Sequence, residues 1–311
     1  MTGNLMKKLI ILAAVLFIHL SSFAQKKFES HYPSGKIRST GQYDESGKET
    51  GIWKIFYESG KPEAMVTFRN GKETGEFRSH YESGKLEELG KYENGIKIDV
   101  WRSYHENGQL RAIWQYENGK KNGISKTYQS TGKLAEIGNY KDGQAIGEWK
   151  AYHTNGNLHE IWNYENGDPK GEFREYYDDG GLKRIGNRHG YAADGEWKMY
   201  YQNGTLEKIG TYKDNKENGE WKHYNLNGKL WEIGSYEDGK KIGDWKLYGN
   251  KGNLLQTIRY EKGMAEGLSQ FYHENGKLRE TGRYQNGKKS GEWKFYDERG
   301  ELIRTENYQE E

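Results

Sequence analysis

From residue 51 onward, large and charged residues alternate along the chain in short runs. Glu148-Trp149-Lys150-Ala151-Tyr152 is one such run and Leu158-His159-Glu160-Ile161-Trp162-Asn163-Tyr164 is the next. Alternation with period 2, carried by Trp, Tyr, Ile and Leu, predicts strands. Glycine-containing breaks separate the runs. Asn107-Gly108 and Asn203-Gly204 predict type I′ hairpin turns, in which both central residues take positive φ. The longer Tyr-x-x-Gly-x-x-x-Gly link predicts a second turn, so the chain reads as an antiparallel meander.

The pattern repeats with a constant period. A glycine recurs at Gly51, Gly75, Gly123, Gly147, Gly171, Gly195, Gly219, Gly243, Gly267 and Gly291, with Asp99 in the one gap, and every step is 24 residues. The unit reads GEWKxYxxNGKLxEIGxYxxGKxx, numbered 1 to 24 from that glycine. Residues 25–50 hold a partial unit, Phe28 to Lys48, one residue longer in its second turn, and residues 51–311 hold eleven units, the last incomplete. One unit cannot stand alone, because ordering its backbone costs on the order of 24 to 48 kcal/mol. Stacked neighbours must supply the stability. The expected fold is all-β: an elongated single-sheet antiparallel β-meander solenoid of 24-residue hairpin repeats. At a strand spacing of ~4.8 Å it would be on the order of 100 Å long.

Exchanges between columns set an expected register. Position 16 is Gly at Gly41, Gly90, Gly138, Gly186, Gly210, Gly234 and Gly282, and position 3 of the following unit is then Trp53, Trp101, Trp149, Trp197, Trp221, Trp245 and Trp293. Where position 16 is bulky, at Val66, Trp114, Trp162 and Ile258, the following position 3 is Phe77, Ser125, Phe173 and Ser269. A small residue faces a large one across the second turn, and glycine leaves bare backbone for the indole. Pairing position 3 with position 16 of its own unit fails, since Trp101 would meet Trp114. The register then sets position 18 opposite the next position 1. One face would carry positions 3, 5, 7, 12, 14, 16 and 18, the other 2, 4, 6, 13, 15 and 17.

On the second face, position 4 is Lys or Arg in ten of eleven units and position 2 is acidic in seven, a charge ladder. Tyr104, Tyr128, Tyr152, Tyr176, Tyr200 and Tyr224 at position 6 form the aromatic row left freest by the Gly–Trp packing, and so the candidate binding surface. His105, His153 and His273 share position 7. At two strands apart, roughly 10 Å, they cannot share a metal, and they read as surface polar residues. No serine sits in a nucleophile elbow, and the acidic turns lack calcium-loop spacing. No catalytic residue, metal or cofactor is expected. Asp99, Gly190, Tyr191 and Asn215 depart locally from the turn pattern and read as drift in turns, with a local site as the alternative.

The segment Glu136-Ile137-Gly138-Asn139-Tyr140-Lys141-Asp142-Gly143 through Gly147-Glu148-Trp149 resembles the MORN repeat in its bacterial variant form. The resemblance covers nearly the whole chain after the leader. It implies a twisted antiparallel sheet, scaffolding and membrane-proximal roles, and, for some bacterial members, a toxin–antitoxin label. An exported chain is at odds with that label.

Export is expected from the N-terminus. Met6-Lys7-Lys8 precedes an apolar run from Leu9 to Leu20 and a small-x-small site at Ser22-Phe23-Ala24, so residues 1–24 read as a secretory signal peptide, with the mature chain starting at Gln25. A periplasmic, outer-surface or secreted location follows. The chain has no cysteine, which excludes disulfides and thiolate metal sites. Of 48 basic residues the leader removes two, leaving 46 against 46 acidic, a net charge of zero that argues against nucleic acid. The expected function is that of a non-catalytic scaffold or protein-interaction module at the cell envelope. Glycan binding through aromatic rows and lipid head-group contact are the alternatives.

Overall fold

A computed structural model describes residues 26–309, so the leader and its cleavage site lie outside the described residues. The described residues form 25 strands and no helix. They group into two compact units. One runs to Arg111 and includes Gln115–Lys120, and the other comprises Ala112–Trp114 and the chain from Lys121. Within each unit, strands adjacent in sequence pair antiparallel, as in Gly75↔Tyr92 of the first and Gly147↔Tyr164 of the second.

Two kinds of turn alternate. At positions 20 and 21, Asp142 (φ 51°) and Gly143 (φ 86°) close a two-residue loop between paired Lys141 and Gln144, the type I′ geometry. Asn215 (φ 66°) replaces the glycine without breaking that turn, since Asn tolerates the left-handed region better than most residues. At Gly190-Tyr191 only the glycine has positive φ (61°), which fits a type II′ turn with Tyr191 projecting at its tip.

The type I′ turns expected at Asn107-Gly108 and Asn203-Gly204 are not formed. There only Gly108 (φ 91°) and Gly204 (φ 83°) are left-handed. Asn107 and Asn203 instead accept hydrogen bonds through Oδ1 from the backbone N–H of Gln109 and Thr205, at 2.9 and 3.0 Å. The side chain caps a wider turn, so its own backbone need not invert.

A bulge follows each type I′ turn. Thr67 pairs with Thr74 and Val66 with Phe77 across the Asn70-Gly71 turn, leaving Gly75 (φ 75°) and Glu76 unpaired on that side, and Gly195 and Glu196 are left the same way after Gly190-Tyr191. Position 18 therefore faces position 23, as Tyr140↔Ala145, and the expected pairing of 18 with the next position 1 is corrected. Position 1 needs a left-handed residue here. Asp99 supplies it at φ 59°.

The bulge lays each indole on the glycine of the preceding strand. A Cβ built on Gly41, Gly90, Gly138, Gly186, Gly210, Gly234 or Gly282 would lie 2.0 to 2.2 Å from Cδ2 of the following Trp, well inside van der Waals contact. Val66↔Phe77 and Ile258↔Ser269 occupy the equivalent pairing with the sizes altered. Lys126↔Ile113 and Thr127↔Ala112 put Trp114 opposite Ser125 in the same way. Position 3 also pairs with position 16 of its own unit, as Trp149↔Trp162 and Trp197↔Gly210, contrary to the expectation. Both neighbours are possible because the indole leans one way only. Trp149 covers Gly138 and leaves its ring centroid 6.4 Å from that of Trp162.

These indoles are the core: Trp101, Trp149, Trp197, Trp221, Trp245 and Trp293 are buried, with tyrosines at position 18 packed edge-on, as Tyr140 on Trp149 at 5.2 Å. The unpaired stretch also frees the position 17 carbonyl, which accepts the indole N–H in Trp197→Asn187, Trp221→Thr211, Trp245→Ser235 and Trp293→Arg283.

A second irregularity shifts register between positions 5 and 6. Ala151 faces Glu160 while Tyr152 faces Leu158. Position 13 is thereby turned toward position 5, as in Lys183–Glu175 and Trp231–His223, and position 12 comes opposite position 6. The expected assignment of 13 and 12 to the two faces is reversed by this bulge.

Candidate functional site

One stripe of surface repeats with little change through the second unit. Glu148-Lys150-Tyr152, Glu172-Arg174-Tyr176, Glu196-Lys198-Tyr200 and Glu220-Lys222-Tyr224 occupy positions 2, 4 and 6 of four consecutive units. Alternation puts each triplet on one face of its strand. The acid and base pair within the strand at 2.8 Å (Glu148–Lys150), 3.0 Å (Glu196–Lys198) and 2.9 Å (Glu220–Lys222). The hydrogen bond that Lys150 donates to Glu148, together with the Glu148 charge, holds its ammonium above the usual lysine range, and Glu196 and Glu220 do the same for Lys198 and Lys222. Arg174 is raised by its hydrogen bond to Tyr176 and then by the Glu172 charge. All these pairs are exposed, so each contributes ~0.2 to 1 kcal/mol at most. Opposite charges this close leave little net field.

The tyrosines of the row, Tyr104, Tyr128, Tyr152, Tyr176, Tyr200 and Tyr224, are all half-buried. Five stand directly opposite a leucine at position 12, as Tyr152↔Leu158 and Tyr200↔Leu206. The row is thus less free than the sequence suggests, though part of each ring remains open beside the paired charges.

Position 7 has a role that composition does not reveal. Tyr57, Tyr81, Tyr177 and Tyr201 each donate their hydroxyl to the backbone carbonyl at position 6 of the next unit, at 2.7 to 2.9 Å. His153 and His273 place Nε2 2.9 and 3.0 Å from the same carbonyl, of Tyr176 and Tyr296. Gln129 reaches one residue further, to His153. Consecutive hairpin tips are therefore tied by a ladder of side-chain bonds. The signal was the run of residues from Tyr57 to Tyr201 in this column, Tyr, His and Gln, all long enough to reach and able to donate.

The other face is occupied by its own packing. Lysines at position 23 lie over the indoles, Lys97 over Trp101 at 3.6 Å, Lys241 over Trp245 at 3.7 Å and Lys289 over Trp293 at 3.9 Å, and each also pairs with the glutamate at position 14. The Trp row offers no bare rings for stacking.

One cluster resembles a metal site in its residue types. His159, Glu160 and Glu175 bring ligand atoms within 4.8 Å of one another. Buried Glu175, however, already holds Lys183 at 2.7 Å and the Arg184 guanidinium. Burial pushes its carboxyl up, and the two cations together overcome this and hold it below the ordinary glutamate range. A metal would have to displace both. This unit has exchanged the usual glutamate of position 14 for Arg184 and the tyrosine of position 18 for Arg188, and the reversed charge is answered by Glu175. The cluster is a closed ion-pair group that supports the fold.

With this geometry in view, comparison with known families is decisive. The MORN repeat variant model matches ten segments, from 49–70 and 73–94 to 265–286 and 289–310. The chain belongs to the MORN repeat variant family. Its matched segments follow the 24-residue spacing of the bulge glycine. No curated protein matches the chain. Among solved structures, this MORN-variant chain is similar to a TcdB2-TccC3 complex without its hypervariable C-terminal region at 12% identity, with 86% of this chain and 19% of that one covered and a TM-score of 0.18. A Photorhabdus luminescens Tc holotoxin pore matches at 13% identity, 87% and 17% coverage and a TM-score of 0.18. The chain spans about a fifth of the length of these proteins, and scores this low carry no argument about fold or function.

Proposed function

We propose that this protein is an exported, non-catalytic interaction module that holds a protein partner at the cell envelope along the Glu–Lys–Tyr stripe. The observation that carries this reading is the recurrence of the same triplet in four consecutive units at fixed spacing. A surface repeated in this way suits an extended partner that makes the same small contact several times, where each contact is weak and their sum is not. Paired charges give such a surface register and orientation without attracting anions or cations indiscriminately. Export rests on the leader pattern in residues 1–24.

Two measurements test it. N-terminal sequencing of protein recovered from the native envelope should begin at Gln25, and an intact N-terminus in the cytoplasmic fraction would overturn export. Photo-crosslinkers placed at Tyr176 and Tyr200 of the mature chain should trap one protein from that envelope. The triple change Lys150→Glu, Lys198→Glu and Lys222→Glu should abolish the crosslink while leaving the melting temperature close to the parent value, because exposed pairs contribute little to stability. Retention of the crosslink in the triple variant would sink the assignment to this stripe.

A further inference from the structure

The tip ladder is interrupted once where its interruption opens a space. Tyr201 makes its bond to the Tyr224 carbonyl. The next residue in the column is Asn225, which folds its Oδ1 back to accept from the backbone of Asn227 and Lys229 and makes no ladder bond to Tyr248. The one after that is Gly249, with no side chain at all. The Tyr and His rings that fill most of this column are missing here. A shallow cleft of about 600 Å³, largely open to solvent, lies there, bounded by Tyr201, Leu226, Trp231 and Tyr248, with Asn227 and Asn250 at its margin.

Two residues of this cleft break their columns. Trp231 is the sole Trp at position 13, and at 37% accessible it is the most exposed Trp among the described residues, where Trp114 and Trp162 are half-buried and the core indoles are 9% accessible or less. It is held edge-to-face against His223, at 5.8 Å, whose neutral ring is favoured by burial. Leu226 is the one apolar residue at position 8, a column otherwise of Glu, Asp, Asn, Gln, Ser and Thr, and it is 60% exposed. Neither substitution adds to the core. No charged side chain lines the cleft, in a chain where 30% of residues are charged. The nearby Lys229 ammonium is tied to the Asn250 carbonyl at 2.9 Å.

We infer that this cleft binds a neutral oligosaccharide. Its volume is in the range of small-ligand sites, and the patch is far smaller than the ~800 Å² per partner that a stable protein interface needs. An indole face and two tyrosines offer flat apolar walls for the C–H face of a sugar ring. The side-chain amides of Asn227 and Asn250 make no hydrogen bond within the described residues, and each both donates and accepts, as sugar hydroxyls require. A hydrocarbon ligand would make no use of those amides. A charged ligand would find no charged side chain in the lining itself. The inference goes beyond the proposed protein-binding stripe, because the cleft is lined chiefly from positions 5, 7, 8 and 13.

The test uses the mature chain and a panel of neutral hexasaccharides, β-1,4-glucan, β-1,4-linked N-acetylglucosamine and α-1,4-glucan, followed by calorimetry and by tryptophan fluorescence. At least one should bind with a dissociation constant of about 1 mM or tighter. Trp231→Ala should weaken that binding at least tenfold, and Trp231→Phe, which keeps a flat ring, should weaken it less. Asn225→Tyr should restore the ladder bond to Tyr248, fill the cleft, abolish binding and leave the melting temperature unchanged or higher. No binding by any member at about 5 mM overturns the inference. So does binding of equal strength to the parent, Trp231→Ala and Asn225→Tyr, which would place the sugar elsewhere.

Discussion

Exchanging the residues of one Gly–Trp pair is the sharpest test of the packing. In Gly138→Trp the first added atom alone would sit 2.0 Å from Cδ2 of Trp149, where carbon atoms approach to ~3.5 to 4.0 Å. The Trp149 ring cannot retreat, because Tyr140 and Tyr164 stand edge-on to it at 5.2 and 5.6 Å and Trp162 flanks it. Overpacking of a rigid site costs about 1 to 3 kcal/mol or more. Trp149→Ser removes a buried indole and should cost about 3 to 5 kcal/mol. The double variant keeps one indole on a small neighbour, the arrangement that Trp114 and Ser125 already hold in the same unit. Its coupling should reach about 2 to 3 kcal/mol, the upper end for residues in contact. Because long arrays need not unfold in one step, the readout is local: hydrogen exchange of Leu134–Lys141 and Gln144–Tyr152, alongside urea denaturation. The double variant should exchange about 30- to 150-fold more slowly than the sum of the two single effects implies. Additivity within about 0.5 kcal/mol would refute the contact.

Other expectations follow from the same geometry. Tyr177→Phe removes the ladder bond to the Tyr200 carbonyl and should destabilise by about 1 kcal/mol, read by denaturation and by faster exchange at the neighbouring tip; no change would mean the ladder is incidental. Ser269 is fully buried and its hydroxyl has no partner, so Ser269→Ala should stabilise by about 1 kcal/mol, and destabilisation would point to a bond not seen. Burial raises the phenols of Tyr92, Tyr140, Tyr212, Tyr260 and Tyr284 above 10 and pushes Tyr236 up to about 12. A raised folded value means the stability is complete below pH 10 and lost as pH rises from 10 toward 12. Tyrosinate absorbance and circular dichroism should therefore change together across that window, and ionisation without loss of structure would contradict the buried setting.

The strands, their antiparallel order and the facing of Gly138 by Trp149 were legible because the repeat acts as its own alignment. A size exchange at Trp114 and Ser125 carries register information that a single unit lacks. The bulges were not legible. Gly147 and Glu148 leave the ladder on one side of their strand only, and a count of alternating residues has no term for a residue that is paired to the right and unpaired to the left. The same limitation hid the wider turn at Asn203-Gly204, where a side-chain cap competes with backbone inversion. Trp231 and Leu226 could have been found from sequence by asking which hairpin places large apolar residues in two mostly polar columns at once.

That question separates the columns by what they cost to change. Positions 1, 3, 16, 20 and 21 answer to backbone conformation and to a close approach with no spare room, so substitutions there are felt by the whole unit. Position 7 ties hairpin tips through single hydrogen bonds, and the array accepts Asn225 and Gly249 there because neighbouring tips keep theirs. Positions 2, 4 and 8 touch little that holds the fold, and position 13 does so only where it answers a buried charge, as Lys183 does for Glu175. A repeat protein of this design can therefore acquire a local site by losing one tip bond and placing an aromatic ring beside the gap. Trp231 beside Asn225 and Gly249 is that combination, and the strands on either side of it keep the register of the rest of the unit.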